Sequence, residues 1–305
     1  MSKKIILLSG PTASGKSKLA IYLAKKLNGE IINADSMQTY KEFLILSSRP
    51  NKKETKNIKH HLYGFISVKK YFSTGEWLEL VKAQINKCSK SKKTPILVGG
   101  TGLYFSAITK GLSKIPEIDQ SIRDKTRNLF NKIGNKEFHN ILLKMDPKIK
   151  GKILPSDSQR SQRAYEVFIK TKKSIFEWML NTKSDFANYD IRKIFLSIPK
   201  DELLKKISTR TENMFKNGCV KEVKKFNILK INKSLSANKL IGVREINDYL
   251  KGVLSLKECK ELINIKTRQY AKRQNTWARG NMRNWNKLYS KDFTVLLKKV
   301  LKVVS

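Results

Sequence analysis

Gly10, Gly15, Lys16 and Ser17 stand in the spacing G-x-x-x-x-G-K-S, inside the stretch "GPTASGKS". Glycines at those places let backbone N–H groups wrap an anion, the start of a helix adds partial positive charge, and a lysine adds a full one. The Ser17 hydroxyl is placed to ligate Mg2+. The chemistry is the holding of a phosphate. A nucleoside triphosphate is the usual guest of such a loop, but these eight residues do not say which phosphate is held. Asp35, in "INADSMQTYK", follows a second apolar segment. It can serve as a magnesium ligand, as a proton acceptor, or only as the turn former that a lone Asp after a strand often is. A nucleotide hydrolase usually carries an apolar strand ending in Asp for the metal; here the candidate strand "PILVGG" ends in glycines. "GGTGLY" permits close backbone approach and offers the Thr101 hydroxyl, although glycine-rich strand ends are also ordinary turn chemistry.

The elements around these residues form a pattern. "KIILLS" reads as a buried strand, Ser17–Asn28 as a helix stopped by Gly29, "EIINAD" as a second strand ending at Asp35, "EWLELVKAQINKC" as a helix, and "TPILVGG" as a third strand. Alternating strands and helices predict an α/β fold with a parallel sheet, in which ligands sit beyond the carboxyl ends of the strands. Gly10–Ser17, Asp35–Gln38 and Gly99–Tyr104 each follow a strand, so all three are expected at one rim. From about Gly111 the texture turns helical and basic, and "SDSQRSQRAYEVFIK" restarts a helix with Ser156 or Asp157 as its N-cap. Residues 113–190 read as a helical insertion between a first part of the core, 1–112, and the remainder, 191–305. "KIFLSIP" at 193–199 returns to the sheet, and the chain after Asp201 reads as mostly helical.

The chain has 305 residues with 40% hydrophobic content, enough for a sizeable core. Lysine and arginine total 64 against 25 acids, a formal net charge of +39. That excess suits a polyanionic partner; equally, the abundance of Lys, Asn and Ile suits an AT-rich genome. The arginines are the better guide. Arg160 and Arg163 lie one helical turn apart, and "KTRQYAKRQNTWARG" interleaves Arg268, Lys272, Arg273 and Arg279 with Tyr270 and Trp277, a composition that suits RNA phosphates and bases. Each set is also compatible with a solvated helix face. Cys88, Cys219 and Cys259 are too scattered for a zinc cluster or a disulfide framework, and a reducing cytoplasmic setting is expected. The apolar run before the loop is too short for a signal peptide, and no run approaches the ~20 residues of a membrane span. His60 and His61 are read as structural, because adjacent histidines diverge and no third ligand is near.

Read together, "GPTASGKS", "INADSMQTYK", "HHLYG", "PILVGGTGLYFSAI", "DSQRSQRAYEV", "RTENMFKNGCVKEV", "LIGVREI" and "TRQYAKRQNTWAR" resemble, in order and over nearly the whole chain, the tRNA dimethylallyltransferase family. The resemblance implies a P-loop NTPase-like parallel-sheet core with an inserted all-helical domain and a helical C-terminal region. It implies transfer of a dimethylallyl group from dimethylallyl diphosphate to N6 of adenine 37 in the anticodon stem-loop of tRNA. The loop Gly10, Pro11, Thr12, Ala13, Ser14, Gly15, Lys16 and Ser17 would hold the diphosphate, with Mg2+ on Ser17. Asp35 would be the base, and Lys16, Arg210 and Thr101 would complete the catalytic set. The family's tRNA contacts correspond to Asp35, Ser36, Met37, Gln38, Thr101, Arg123, Gln159, Arg160, Ser161, Gln162, Arg163, Lys239, Leu240, Ile241, Gly242, Val243 and Arg244. Arg49, Val243 and Ala278 depart from residues common in the family. A monomer is expected. A P-loop nucleotide kinase, an adenylate isopentenyltransferase acting on free AMP or ADP, and a non-catalytic RNA-binding protein are the competing readings.

Overall fold

The computed structural model describes residues 4–55 and 57–305; Met1–Lys3, the basic start read with the first strand, lie outside the described residues. In chain order the strands are β1 (Lys4–Ser9), β2 (Gly29–Asn33), β3 (His60–His61), β4 (Thr94–Gly99), β5 (Asp190–Leu196) and β6 (Asn286–Leu288). The helices are α1 (Lys16–Lys26), α2 (Lys52–Thr55), α3 (Thr74–Lys90), α4 (Gly102–Thr109), α5 (Gln120–Met145), α6 (Ser158–Thr171), α7 (Ile175–Leu180), α8 (Lys200–Lys216), α9 (Cys219–Ile228), α10 (Val243–Leu250), α11 (Leu256–Asn281) and α12 (Phe293–Val304). No described helix is long and apolar enough to cross a membrane.

The chain divides into two compact units, Ile108–Ala187 and the remainder, where sequence reasoning had set 113 and 190. Asp190 is already the first residue of β5, paired with Lys4. In the larger unit, outside Ile108–Ala187, all six described strands run parallel in the order β3-β2-β4-β1-β5-β6. Ile5, Ile6, Leu7 and Leu8 of β1 are fully buried, as a central parallel strand covered on both faces requires. One apolar layer joins β1, β4 and β5 to α1 and α12. Another gathers Tyr40, Phe43 and Leu46 with residues of α8, α9, α10 and α11.

Around the phosphate loop and Asp35 the boundaries differ from the sequence reading for local reasons, and β5 spans Asp190–Leu196 rather than 193–199. Helix α1 ends at Lys26 rather than Asn28, because Asn28 turns to φ 49. Gly29 does not cap the helix; it is the first residue of β2. Strand β2 stops at Asn33, and Asp35 heads a 3-10 turn over Ser36–Thr39. Strand β6 went unnoticed because three residues carry no periodic signal. His61 bonds Glu30 through Nε2 at 2.7 Å within the edge pair β2–β3.

The second unit is helical throughout. Asp157 caps α6, accepting the Arg160 N–H at 3.1 Å. Gly134, at φ 75, interrupts α5. Phe138 sits between Phe130 and Tyr165 at centroid distances of 5.4 and 5.0 Å, and Leu142, Ile149, Ile153 and Ala164 form a small core.

Candidate active site

The register of the sheet brings the strand ends level. Ser9 pairs with Gly99, and Asn33 with Val98. The phosphate loop, the Asp35 turn and the Thr101 turn therefore leave the sheet at one rim, as the strand pattern predicts. The loop turns through Gly15 at φ 88, a conformation in which a side chain is strained, and α1 begins at the next residue. Lys16 Nζ donates to the carbonyls of Gly10 at 2.8 Å and Pro11 at 2.6 Å. Loss of hydration lowers its pKa to about 8; the charge of Asp35 opposes that fall and the charge of Arg210 adds to it. Arg210, on α8, donates from Nη1 to the Thr12 hydroxyl at 2.6 Å.

Asp35 is held closely. Its Oδ1 accepts the Met37 N–H at 3.0 Å, its own N–H donates to Asn33 Oδ1 at 2.9 Å, and its carbonyl accepts from Asn33 Nδ2 at 2.9 Å. Next to it, the Ser36 N–H donates to the Thr101 hydroxyl at 3.0 Å, while the Thr101 N–H donates to the Ala34 carbonyl at 3.2 Å. Behind this rim Trp77 donates from Nε1 to the Asn33 carbonyl at 3.0 Å and stacks on Tyr104 at 3.9 Å. The helix that carries Trp77 is started by a reciprocal Ser73–Glu76 capping box. Burial raises the hydroxyl pKa of Tyr63, Tyr104 and Tyr270, and the charge of Asp35 raises each further.

The rim thus collects a fixed carboxylate, a lysine, an arginine and a loop of backbone amides. It can stabilise negative charge on a diphosphate and accept a proton beside it. Ser17 is exposed in the first turn of α1. Its hydroxyl is a hard oxygen donor that fits Mg2+, an ion that takes its remaining ligands from phosphate and water. Among the described residues no cluster of three or more His, Cys, Asp or Glu could hold a metal.

The residues matched to tRNA contacts fall into three environments. At the rim, Gln38 donates to the carbonyls of Ser47 and Ser48 at 3.0 and 3.1 Å, and Met37 packs into the apolar layer. On the helical unit, Gln159 and Arg160 are exposed, while Arg163 and Arg123 are half-buried. Arg160 and Arg163 pair with Asp157 and Glu166 at 3.3 and 3.5 Å. Ser161 is fully buried against His139 at 3.4 Å, so its side chain is part of the packing; Gln162 beside it is half-buried. In the segment 239–244, Lys239 and Arg244 are exposed and Ile241 is partly so, whereas Leu240 and Val243 are buried and Gly242 lies against Leu46. Arg49 bonds the Tyr40 carbonyl at 3.1 Å and crosses Gly64, which makes it a brace of the loop after Asp35.

Helix α11 revises the interleaved reading of its sequence. Arg268, Lys272, Arg273 and Arg279 are exposed, but Trp277 lies against Gly102. Gln274, which drew no attention in the sequence, bonds both the phosphate loop and Gly100. Tyr270, Gln274 and Trp277 have the i, i+4, i+7 spacing of one helix face, a signal available in the sequence but hidden by the surrounding charges.

The IPP transferase family model matches residues 38–281. The chain belongs to the IPP transferase family. Asp35 and the phosphate loop precede the matched span, and longer similarities include them. A curated Pelagibacter ubique protein named tRNA dimethylallyltransferase is 55% identical over 285 residues, covering 93% of this chain and 91% of its own. A Rickettsia massiliae protein of the same name is 41% identical, covering 99% of this chain and 84% of its own. The crystal structure of the Bacillus halodurans tRNA isopentenylpyrophosphate transferase superposes with a TM-score of 0.70 at 32% identity, covering 99% of this chain and 94% of that one. A eukaryotic dimethylallyltransferase described as acting on tRNA reaches a TM-score of 0.77 at 30% identity, covering 91% and 70%.

Proposed function

We propose that this IPP transferase family member moves the dimethylallyl group of dimethylallyl diphosphate to N6 of adenine 37, beside the anticodon of tRNA. The products are diphosphate and N6-isopentenyladenosine. The observation that carries this reading is the fixed Asp35 carboxylate at the same strand-end rim as the Lys16 loop and Arg210. The names of the relatives supply the acceptor.

The bond changes are few. The carbon–oxygen bond to the diphosphate breaks, and its electron pair leaves with the diphosphate. A bond from N6 to the allylic carbon forms, and the N6 proton goes to Asp35. Lys16, Arg210 and the amides of the loop from Gly10 to Ser17 balance the charge that grows on the leaving group. Ser17 would hold Mg2+, which when bound would supply further neutralisation of that charge. Thr101 keeps the Ser36 amide, and through it the Asp35 turn, in place. The target adenine leaves its stack to reach the rim beyond the strand ends, at a cost of a few kcal/mol that contacts along the RNA offset. Arg123, Gln159, Arg160 and Arg163 on the helical unit contact the RNA, as do Lys239 and Arg244 on the other. The protein works as a cytoplasmic monomer in this reading.

Purified protein is incubated with an anticodon stem-loop RNA and labelled dimethylallyl diphosphate, and separately with labelled ATP. Appearance of N6-isopentenyladenosine is the expected result. Phosphoryl transfer from ATP without allyl transfer overturns the reaction class, and efficient competition by free AMP overturns the acceptor.

A further inference from the structure

We infer that Gln274, on α11, is a positioning residue that sets the spacing between the diphosphate loop and the strand-end turn that bears the base. Its side-chain oxygen accepts the Thr12 N–H at 2.8 Å, and its side-chain nitrogen donates to the Gly100 carbonyl at 3.0 Å. The two partners fix the orientation of the amide, since one can only donate and the other can only accept. A Cβ at Gly100 would lie 2.2 Å from Gln274 Nε2, so the glycine is what lets the side chain reach the strand end.

The bridge closes a circuit. Thr12 is gripped on its hydroxyl by Arg210 and on its backbone by Gln274. Gly100 precedes Thr101, whose hydroxyl accepts the Ser36 N–H beside Asp35. The leaving-group loop and the base turn rise from β1 and β2, which are separated in the sheet by β4. Gln274 links the loop to the end of β4, and Thr101 links that end to the turn. No other residue hydrogen-bonds with its side chain to both the loop backbone and the β4 end among the described residues. In-line attack depends on this distance, because a misplacement of about 1 Å costs on the order of 10²-fold in rate. The inference rests on the proposed transfer reaction for its consequence, but its geometric part concerns only the loop and the β4 end.

Two variants test it. Gln274→Met keeps the volume and loses the hydrogen bonds to Thr12 and Gly100, together with the one to the Tyr270 side chain. Gln274→Glu keeps the acceptor for Thr12 and turns a carboxylate oxygen toward the Gly100 carbonyl; protonation restores a donor there. Charged and titratable groups around this position are Tyr270 and Arg273 on the same helix, Arg210 on α8, Lys16 and Asp35. They are common to both proteins, so the ratio of variant to unchanged protein isolates residue 274. Inorganic diphosphate affinity and single-turnover allyl transfer are measured from about pH 4 to 8, a range that reaches the ordinary glutamate pKa of about 4.3, with RNA affinity as the control for folding.

The expected result for Gln274→Met is about tenfold weaker diphosphate binding, about 10²-fold slower transfer and unchanged RNA affinity. Gln274→Glu is expected to match that loss at the upper pH and to recover relative to the unchanged protein as pH falls. Diphosphate binding and transfer that both stay within about twofold in Gln274→Met overturn the inference, as does an equal loss in both variants at every pH. Should Gln274→Met not fold, the pH course of Gln274→Glu decides. If the unchanged protein binds diphosphate but transfers no allyl group, the transfer reading falls, and the bridge is judged on diphosphate binding alone.

Discussion

The rim of the sheet and the arginine-bearing face of α6 are built on opposite plans. At the rim, local bonds that hold Asp35 and Lys16 are joined by partners distant in the chain: Thr12 is held by Arg210 and Gln274, and Ser36 by Thr101. On α6, Arg160 and Arg163 pair with acids three residues away, at separations of 3.3 and 3.5 Å. The rim is an arrangement in which one displaced atom matters. The helix face is a distribution of charge in which no single position does. Exposed ion pairs of the second kind contribute about 0–1 kcal/mol to stability, so those arginines are free to exchange an acid for a phosphate. The first kind suits chemistry and the second suits adaptable contact with RNA.

The largest effect belongs to Asp35. Asp35→Asn keeps an oxygen for the Met37 N–H but cannot take a proton, so single-turnover transfer should fall by about 10²–10⁴-fold while RNA affinity stays within about twofold. A parallel loss of RNA binding would move Asp35 from the chemistry to the contact surface. Lys16→Met comes next. Removing one charged donor from a leaving-group cradle should slow transfer by about 10²-fold and weaken diphosphate binding, both read in rapid-quench and titration experiments.

A pH series probes the same cradle without mutation. The Lys16 pKa is lowered to about 8, so the free site loses its ammonium as pH rises through that value. Bound diphosphate favours the charged form, so its affinity should be level below about pH 8 and fall by up to tenfold per pH unit above it. Lys16→Met should flatten that fall. The smallest effect is predicted on the helical unit. Arg163→Ala should weaken RNA binding only about threefold, reduce the salt slope by about one, and leave transfer at saturating RNA unchanged. A rate loss there at saturating RNA would mean that the helix face is as exacting as the rim.

Much of this was legible before any coordinates. The phosphate loop, the three strand ends and their common rim followed from short apolar runs closed by Gly or Asp. Asp157 was readable as a helix cap because a cap reaches only three residues along the chain. The face of α11 was not legible. Its interleaved charges and aromatics suited an RNA surface or a solvated face, whereas Trp277 packs on Gly102 and Gln274 reaches into the rim. Ser161 and Val243 were likewise assigned to a surface and are buried, since motif position carries no information about which side of an element faces the core.

Sequence alone was sufficient for the residue types, their local spacing and the order of strands and helices, because loops, caps and amphipathic periods are set within a few residues. That Arg210 and Gln274 would meet at Thr12, from 198 and 262 residues away, was decided only by the packed structure. A helical period shows which side chains share a face. What that face meets depends on how the helices settle against the sheet, and that is a property of the whole chain.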